Sequence, residues 1–214
     1  MFRCECECCS DPTEFGFFMS ATRCSRYSPD LQHLVSEDPL NSEANYTCEK
    51  CSNSQRASQI RTGNMTIANE LKELNRAKLE NLMGFLSQYE PILGPTNAHV
   101  VEIKYAVVML LANRKPYVLE NLTQEQLELK ASLAEQLLQL ATMVEPGSSR
   151  WRGQLLLELQ VAQMSLAAGL EEAGTIGRVA AKERAEEAMS NLQESARILQ
   201  VGHIVLHSLT NYTD

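Results

Sequence analysis

The chain has 214 residues, enough for one sizeable helical core with a small metal-stapled appendage, and its 44% apolar content is too high for a disordered tail. Seven cysteines are an odd number, so disulfides alone would leave one thiol over, and all seven fall at or before Cys51. A formal net charge of -8 argues against general attraction to a nucleic-acid backbone, and the apolar run Tyr105 to Ala112 is far shorter than the roughly 20 residues a membrane helix needs.

Met1 is followed directly by Phe2, Arg3 and Cys4, without the basic and then apolar stretch of a secretory signal, so cytoplasm or nucleus is the expected location. The Asn-x-Thr triplets that start at Asn45, Asn64, Asn121 and Asn211 are then short strings rather than glycan sites. Residues 1–54 read as a cysteine-rich zinc segment. Within Phe2-Arg3-Cys4-Glu5-Cys6-Glu7-Cys8-Cys9, the residues Cys4, Cys6 and Cys9 form a C-x-C-x-x-C pattern. Thiolates are soft ligands, and C-x-x-C spacing lets two sulfurs reach one tetrahedral zinc while the backbone turns around it. Cys8 is surplus and either competes for the site or points away. The second group is Cys24 with Cys48 and Cys51, where Cys48-Glu49-Lys50-Cys51 is again C-x-x-C. The intervening turn formers Pro29, Asp30, Asp38, Pro39 and Asn41 leave little room for regular structure. His33 is a conceivable fourth ligand, although a lone histidine in such a loop is more often a surface or hydrogen-bonded residue. The alternative to zinc is a set of reduced, buried or redox-active thiols. Glu5, Glu7, Glu14 and Glu49 stand where a phosphate-binding finger would favour lysine and arginine, which argues against direct nucleic-acid binding.

From about residue 55 to 201 the spacing is helical. Ile67, Leu71, Leu74, Leu82 and Leu86 recur at threes and fours along a first helix that Pro91, Gly94 and Pro95 end. A second helix from Thr96 or Asn97 carries Val100, Ile103 and Val107, is apolar almost all round from Tyr105 to Ala112, and is bounded by Pro116. Thr123-Gln124-Glu125-Gln126 reads as a capping box that opens a helix with Leu133, Leu137, Leu140 and Val144 on one stripe. Pro146-Gly147-Ser148-Ser149 breaks the chain before Leu156, Leu159, Ala162, Leu166 and Leu170. A last helix from about Gly177 presents Ala181, Ala185, Ala188 or Met189, Leu192, Ala196 and Leu199. Trp151 reads as a half-buried packing residue and His99 as a surface or capping residue. Residues 202–214 depart from the helical pattern and read as an irregular tail. The expected fold is therefore mainly α: a small zinc segment followed by an antiparallel helical array of the tetratricopeptide type, with a plain bundle as the alternative.

The stretch Phe2 to Cys9 resembles the post-SET cysteine motif of the SET- and MYND-domain protein lysine methyltransferases, with Cys4, Cys6 and Cys9 on its three zinc positions. Ser10-Asp11-Pro12-Thr13-Glu14-Phe15-Gly16, Ser20-Ala21 with Cys24, and Pro146 to Gly153 with Leu157-Glu158-Leu159 resemble the arthropod branch of that family. The resemblance runs from Phe2 to about Val201. It implies a tetratricopeptide-like C-terminal domain and a family activity of S-adenosylmethionine-dependent methyl transfer to lysines of histones or other proteins. It also implies a fourth zinc ligand from a SET core and an aromatic side chain at Phe2 beside the cofactor's adenine. The branch typically has four cysteines in the second group, and Tyr27 stands where this sequence lacks one. No SET core lies within these residues, so the 214 residues alone are expected to be inactive. The abrupt start and the tail point to a fragment, an alternative transcript or an incomplete gene model. A non-catalytic helical protein- or peptide-binding module with a structural zinc segment is the competing expectation.

Overall fold

The computed structural model describes residues 4–24, 26, 32–51 and 53–210, with side chains to residue 200. The chain divides into two compact units, residues 1–104 and 105–214, and the division falls inside one helix.

The first unit opens with a single helical turn, α1 (Glu7–Ser10), and then a four-stranded antiparallel sheet in sequential order: β1 (Thr22–Arg23), β2 (His33–Ser36), β3 (Tyr46–Cys48) and β4 (Ser54–Gln55). This sheet corrects the expectation of little regular structure between the cysteines. The central strands β2 and β3 carry Leu34, Val35, Tyr46 and Thr47, side chains that suit a pleated surface, and the turn formers Asp38 and Asn41 lie between these strands instead of displacing them. Their carboxylate and amide oxygens accept the backbone N–H groups of Leu40 and Glu43, each at 3.0 Å.

Helices α2 (Ala57–Glu73) and α3 (Leu79–Leu93) follow. The spacing from Ile67 to Leu86 predicts one helix, but the chain leaves helical geometry at Leu74, and Asn75 forms a side-chain turn onto the Ala77 N–H. Helix α3 also runs through Pro91. Its stop is set by Gly94, whose φ of 95° is open chiefly to glycine. Helix α4 (Ala98–Leu110) is capped by Asn97, whose Oδ1 accepts the His99 N–H at 3.0 Å. The Asn97 Nδ2 donates 2.9 Å to the Ala21 carbonyl, and the Ala98 N–H donates 2.9 Å to that of Met19. The start of α4 is thus tied to the cysteine-rich segment by two hydrogen bonds, of which the Asn97 one is buried.

The second unit contains the rest of α4, a hairpin of β5 (Asn113–Arg114) and β6 (Tyr117–Val118), a 3-10 turn, and α5 (Gln124–Val144), α6 (Arg150–Glu172) and α7 (Arg178–Thr210). The capping box at Thr123 forms: its Oγ1 accepts the Gln126 N–H, and the Gln126 side chain accepts the Thr123 N–H. Ser149 caps α6 by accepting the Arg152 N–H at 3.0 Å. Connections of a few residues make α5, α6 and α7 antiparallel neighbours. Arg152 at the start of α6 pairs with Glu194 midway along α7, and Asn191 bonds Gln163. The buried stripe of α7 is Ala181, Ala188, Ser195 and Ile198. That is one position away from the expected Ala196, because Ser195 is held inside by a 2.7 Å bond to the Gly153 carbonyl. Gly153 lets the helices approach: a Cβ there would stand 2.9 Å from Ile198 Cγ2. Helix α7 continues to Thr210, past the break expected near Val201. A single glycine such as Gly202 costs a helix only about 1 kcal/mol, too little to end it. Trp151 is half-buried, as expected.

The structure is mainly α-helical, with two small groups of three cysteines in the first unit.

Candidate metal centre

The first group is built by α1. Cys6 is its N-terminal flanking residue and Cys9 lies three positions on, so one helical turn brings both sulfurs to the same side, and Cys4 reaches them from the preceding extended chain. The three sulfurs lie within 4.8 Å of one another and are exposed. Two thiolates at 2.3 Å from a tetrahedral ion stand about 3.8 Å apart, so this spacing fits one zinc with little movement. The Cys9 N–H, then the thiols of Cys4 and Cys9, hold Cys6 down to about 7, while pairing with Cys4 and Cys6 pushes Cys9 up to about 12. Deprotonation of Cys6 is thus favoured, as a thiolate ligand requires. Cys8 is not part of the group. It lines a neighbouring open pocket of about 420 Å³ with Cys4, Cys9, Asp11, Glu14 and Tyr46, and burial pushes its thiol up.

The loop after α1 forms one wall of that pocket. Asp11 accepts the N–H groups of Thr13 at 2.9 Å and Phe15 at 2.8 Å, which holds its carboxyl below the usual range. These bonds steady Glu14 and Phe15 in the left-handed region, at φ 53° and 59°.

The second group is placed by the sheet. Cys24 follows β1, Cys48 ends β3, and Cys51 lies in the turn before β4. Pairing of Leu34 with Cys48, together with the Cys24 N–H to Gln32 carbonyl bond of 2.9 Å, brings Cys24, Leu34 and Cys48 into one buried cluster, with Cys51 and Tyr46 packed against it. The Cys24 and Cys51 sulfurs are 3.7 Å apart, close to the spacing of two ligands on one tetrahedral ion. Asn53 Nδ2 donates 3.3 Å to the Cys24 sulfur. Burial opposes ionisation of Cys24, but the Arg26 N–H, the Asn53 amide and the neighbouring thiols outweigh it and hold Cys24 below its ordinary value. Cys51 moves the other way: the Asn53 N–H lowers it, but burial and the thiols of Cys48 and Cys24 raise it further. Backbone N–H groups just beyond Cys6, Cys24 and Cys51 therefore all point at sulfur, the outer-shell arrangement that steadies thiolate ligands.

His33 does not complete either group. Successive strand residues face opposite sides of a sheet, so His33 lies away from Leu34 and the second triad. It is buried and stacked on Phe18 at 4.0 Å. Burial first, and Arg23 second, hold it below its ordinary value. Nothing in the sequence marks the stack, since Phe18 belongs to no periodic pattern. Among the described residues each triad offers three ligand atoms within 4.8 Å and no fourth. Phe2 and Tyr27, which the resemblance singles out, lie outside the described residues.

A buried charged group in the second unit was not foreseen. Lys130 on α5 is fully buried and donates to Glu158 on α6, to the Val108 carbonyl at 2.6 Å and to the Leu111 carbonyl at 3.0 Å. Asn113 Nδ2 also donates 2.9 Å to Glu158 Oε2. The lysine satisfies carbonyls at the end of α4, which a helix otherwise leaves open. Both residues read in sequence as ordinary charges on helices; only the apolar neighbours of Lys130, Ala131 and Leu133, hinted at burial. No helix among the described residues is long and apolar enough to cross a membrane.

Comparison of the sequence with models of known protein families, and with curated proteins, gives no match.

Proposed function

We propose that the chain is a zinc-stapled, protein-binding helical module that descends from the SET- and MYND-type lysine methyltransferases. In this reading Cys4, Cys6 and Cys9 are the post-SET ligands, Cys24, Cys48 and Cys51 hold a second zinc, and the helices act as a tetratricopeptide-like array in the cytoplasm or nucleus. The observation that carries it is the convergence of two thiol triads at zinc spacing, with three ligands each. A structural zinc site closes with four ligands, so each triad leaves one position for a further group, as a post-SET segment does when a SET core supplies the last cysteine. The antiparallel hairpins of α5, α6 and α7 support the array reading, because stacked hairpins offer an extended face to a peptide or protein, including lysine-bearing substrates such as histones.

Methyl transfer is not assigned to these residues. Alignment of an uncharged amine with the sulfonium methyl in a narrow channel supplies much of such a rate, and Phe2 is the single cofactor-facing position the resemblance carries over. One aromatic face contributes on the order of 1 kcal/mol, small beside the cost of immobilising a cofactor. Titration calorimetry with S-adenosylmethionine and a radiolabelled-methyl assay on histones should both be blank for the 214 residues. Saturable micromolar cofactor binding would contradict the assignment and point to a catalytic site within the chain.

A further inference from the structure

We infer that Cys24 and Cys51 form a peroxide-sensitive dithiol that closes to a disulfide whenever the second triad holds no metal. Their sulfurs stand 3.7 Å apart, so a bond of about 2.05 Å requires them to close by less than ~2 Å. Neither residue lies within a strand: Cys24 follows β1 and Cys51 lies in the turn after β3. Both can rotate without breaking the ladder that pairs Leu34 with Cys48. Their exposures divide the labour. Cys51 is half-exposed and meets the oxidant, whereas Cys24 is 3% exposed and waits behind it. Cys48, the third thiol, is a ladder residue packed on Leu34, and its backbone is fixed by the N–H bond to the Asn53 carbonyl at 2.9 Å.

The chemistry balances with hydrogen peroxide as the oxidant. Cys51 sulfur attacks one peroxide oxygen as the O–O bond breaks, and the departing hydroxide takes the Cys51 thiol proton, so a sulfenic acid and one water form. Cys24 sulfur then attacks the sulfenyl sulfur, the S–O bond breaks, and the oxygen leaves as a second water with the Cys24 proton. Two thiols are oxidised to one disulfide and one peroxide is reduced to two waters. Bound zinc would occupy both sulfurs and block the first step, so the proposal rests on the metal reading for that protection alone. Peroxide would thereby withdraw the metal-free second site from zinc.

Trypsin makes the test clean, because Lys50 separates Cys48 from Cys51, and Arg23 and Arg26 bracket Cys24. The full chain is stripped of metal with a chelator, exposed to stoichiometric hydrogen peroxide, capped with an alkylating reagent, digested and analysed by mass spectrometry. The expected product is the peptide Cys24–Arg26 joined to Cys51–Arg56. It should persist in a Cys8→Ser chain and vanish in Cys51→Ser. With zinc at about ten times its dissociation constant, the metal-free fraction and hence the rate should fall about tenfold. Linkage of Cys24 to the peptide that contains Cys48, or free Cys24 after the N-terminal cysteines have oxidised, would overturn the proposal. If the Cys24–Cys51 link forms at the same rate with zinc present and elemental analysis finds no bound zinc, the dithiol stands and the metal reading fails.

Discussion

Substituting Glu158→Gln removes one charge from the buried Lys130 group while keeping its size and an acceptor oxygen. Loss of one partner from a buried ion pair costs about 3–5 kcal/mol, because the other charge stays in a medium that solvates it poorly. Here the ammonium keeps two carbonyl acceptors, Val108 at 2.6 Å and Leu111 at 3.0 Å, so the loss falls at or just below that range and about 2–3 kcal/mol is expected. For a chain of this size that corresponds to a fall in Tm of about 4–12 °C. The pH dependence has a definite sign. Burial already holds Lys130 below its ordinary value, with Glu158 opposing the shift, and the substitution removes that opposition. The folded state then binds fewer protons than the unfolded state between its own lowered pKa and the free-lysine value of about 10.4. The stability loss is therefore full below the lowered pKa and shrinks as pH rises toward about 10.4. Urea unfolding followed by far-UV circular dichroism, compared between variant and parent at pH 7 and about pH 9.5, measures this. A loss below about 0.5 kcal/mol at pH 7, or one that grows with pH, would refute the assignment of Lys130 as a buried charge held by Glu158.

Gly153→Ala should destabilise the second unit by about 1–2 kcal/mol despite alanine's better helix propensity, since the new Cβ meets Ile198 Cγ2 at 2.9 Å; an increase in Tm would show that α6 and α7 are less closely fitted. Cys48→Ala should lower zinc content and speed amide hydrogen exchange between Ala21 and Gln55 while leaving the helical signal unchanged, because metal binding supplies folding free energy locally and Cys48 belongs to the buried cluster of the sheet. Loss of helicity in that variant would mean that the helices depend on the metal.

The sequence made most of the second unit legible. The Thr123 box, the Pro146 to Ser149 break and the helix start near Gly177 each combine a local hydrogen-bonding or backbone preference with an apolar period, and local signals need no knowledge of partners. The cysteine spacing was legible for the same reason, since C-x-x-C predicts its own turn. What failed was nonlocal. Strands as short as Tyr46–Cys48 show too few residues for a period-two pattern, and their pairing depends on chain far away in sequence. The gap between α2 and α3 was hidden because Leu74 and Leu82 continue the apolar spacing across it. Lys130 and Glu158 carry no sign of each other in sequence, because their pairing requires α5 and α6 to pack first. The one-position shift on α7 has the same origin: Ser195 is buried for a carbonyl that only Gly153 presents.

The most direct test of the zinc-stapled reading is elemental analysis of the chain purified in reductant with zinc supplied, then exchanged into metal-free buffer. Two triads at zinc spacing predict about one to two zinc ions per chain, and the content should fall when Cys9 or Cys48 is replaced by serine. Zinc-free protein with all seven thiols reduced would contradict it.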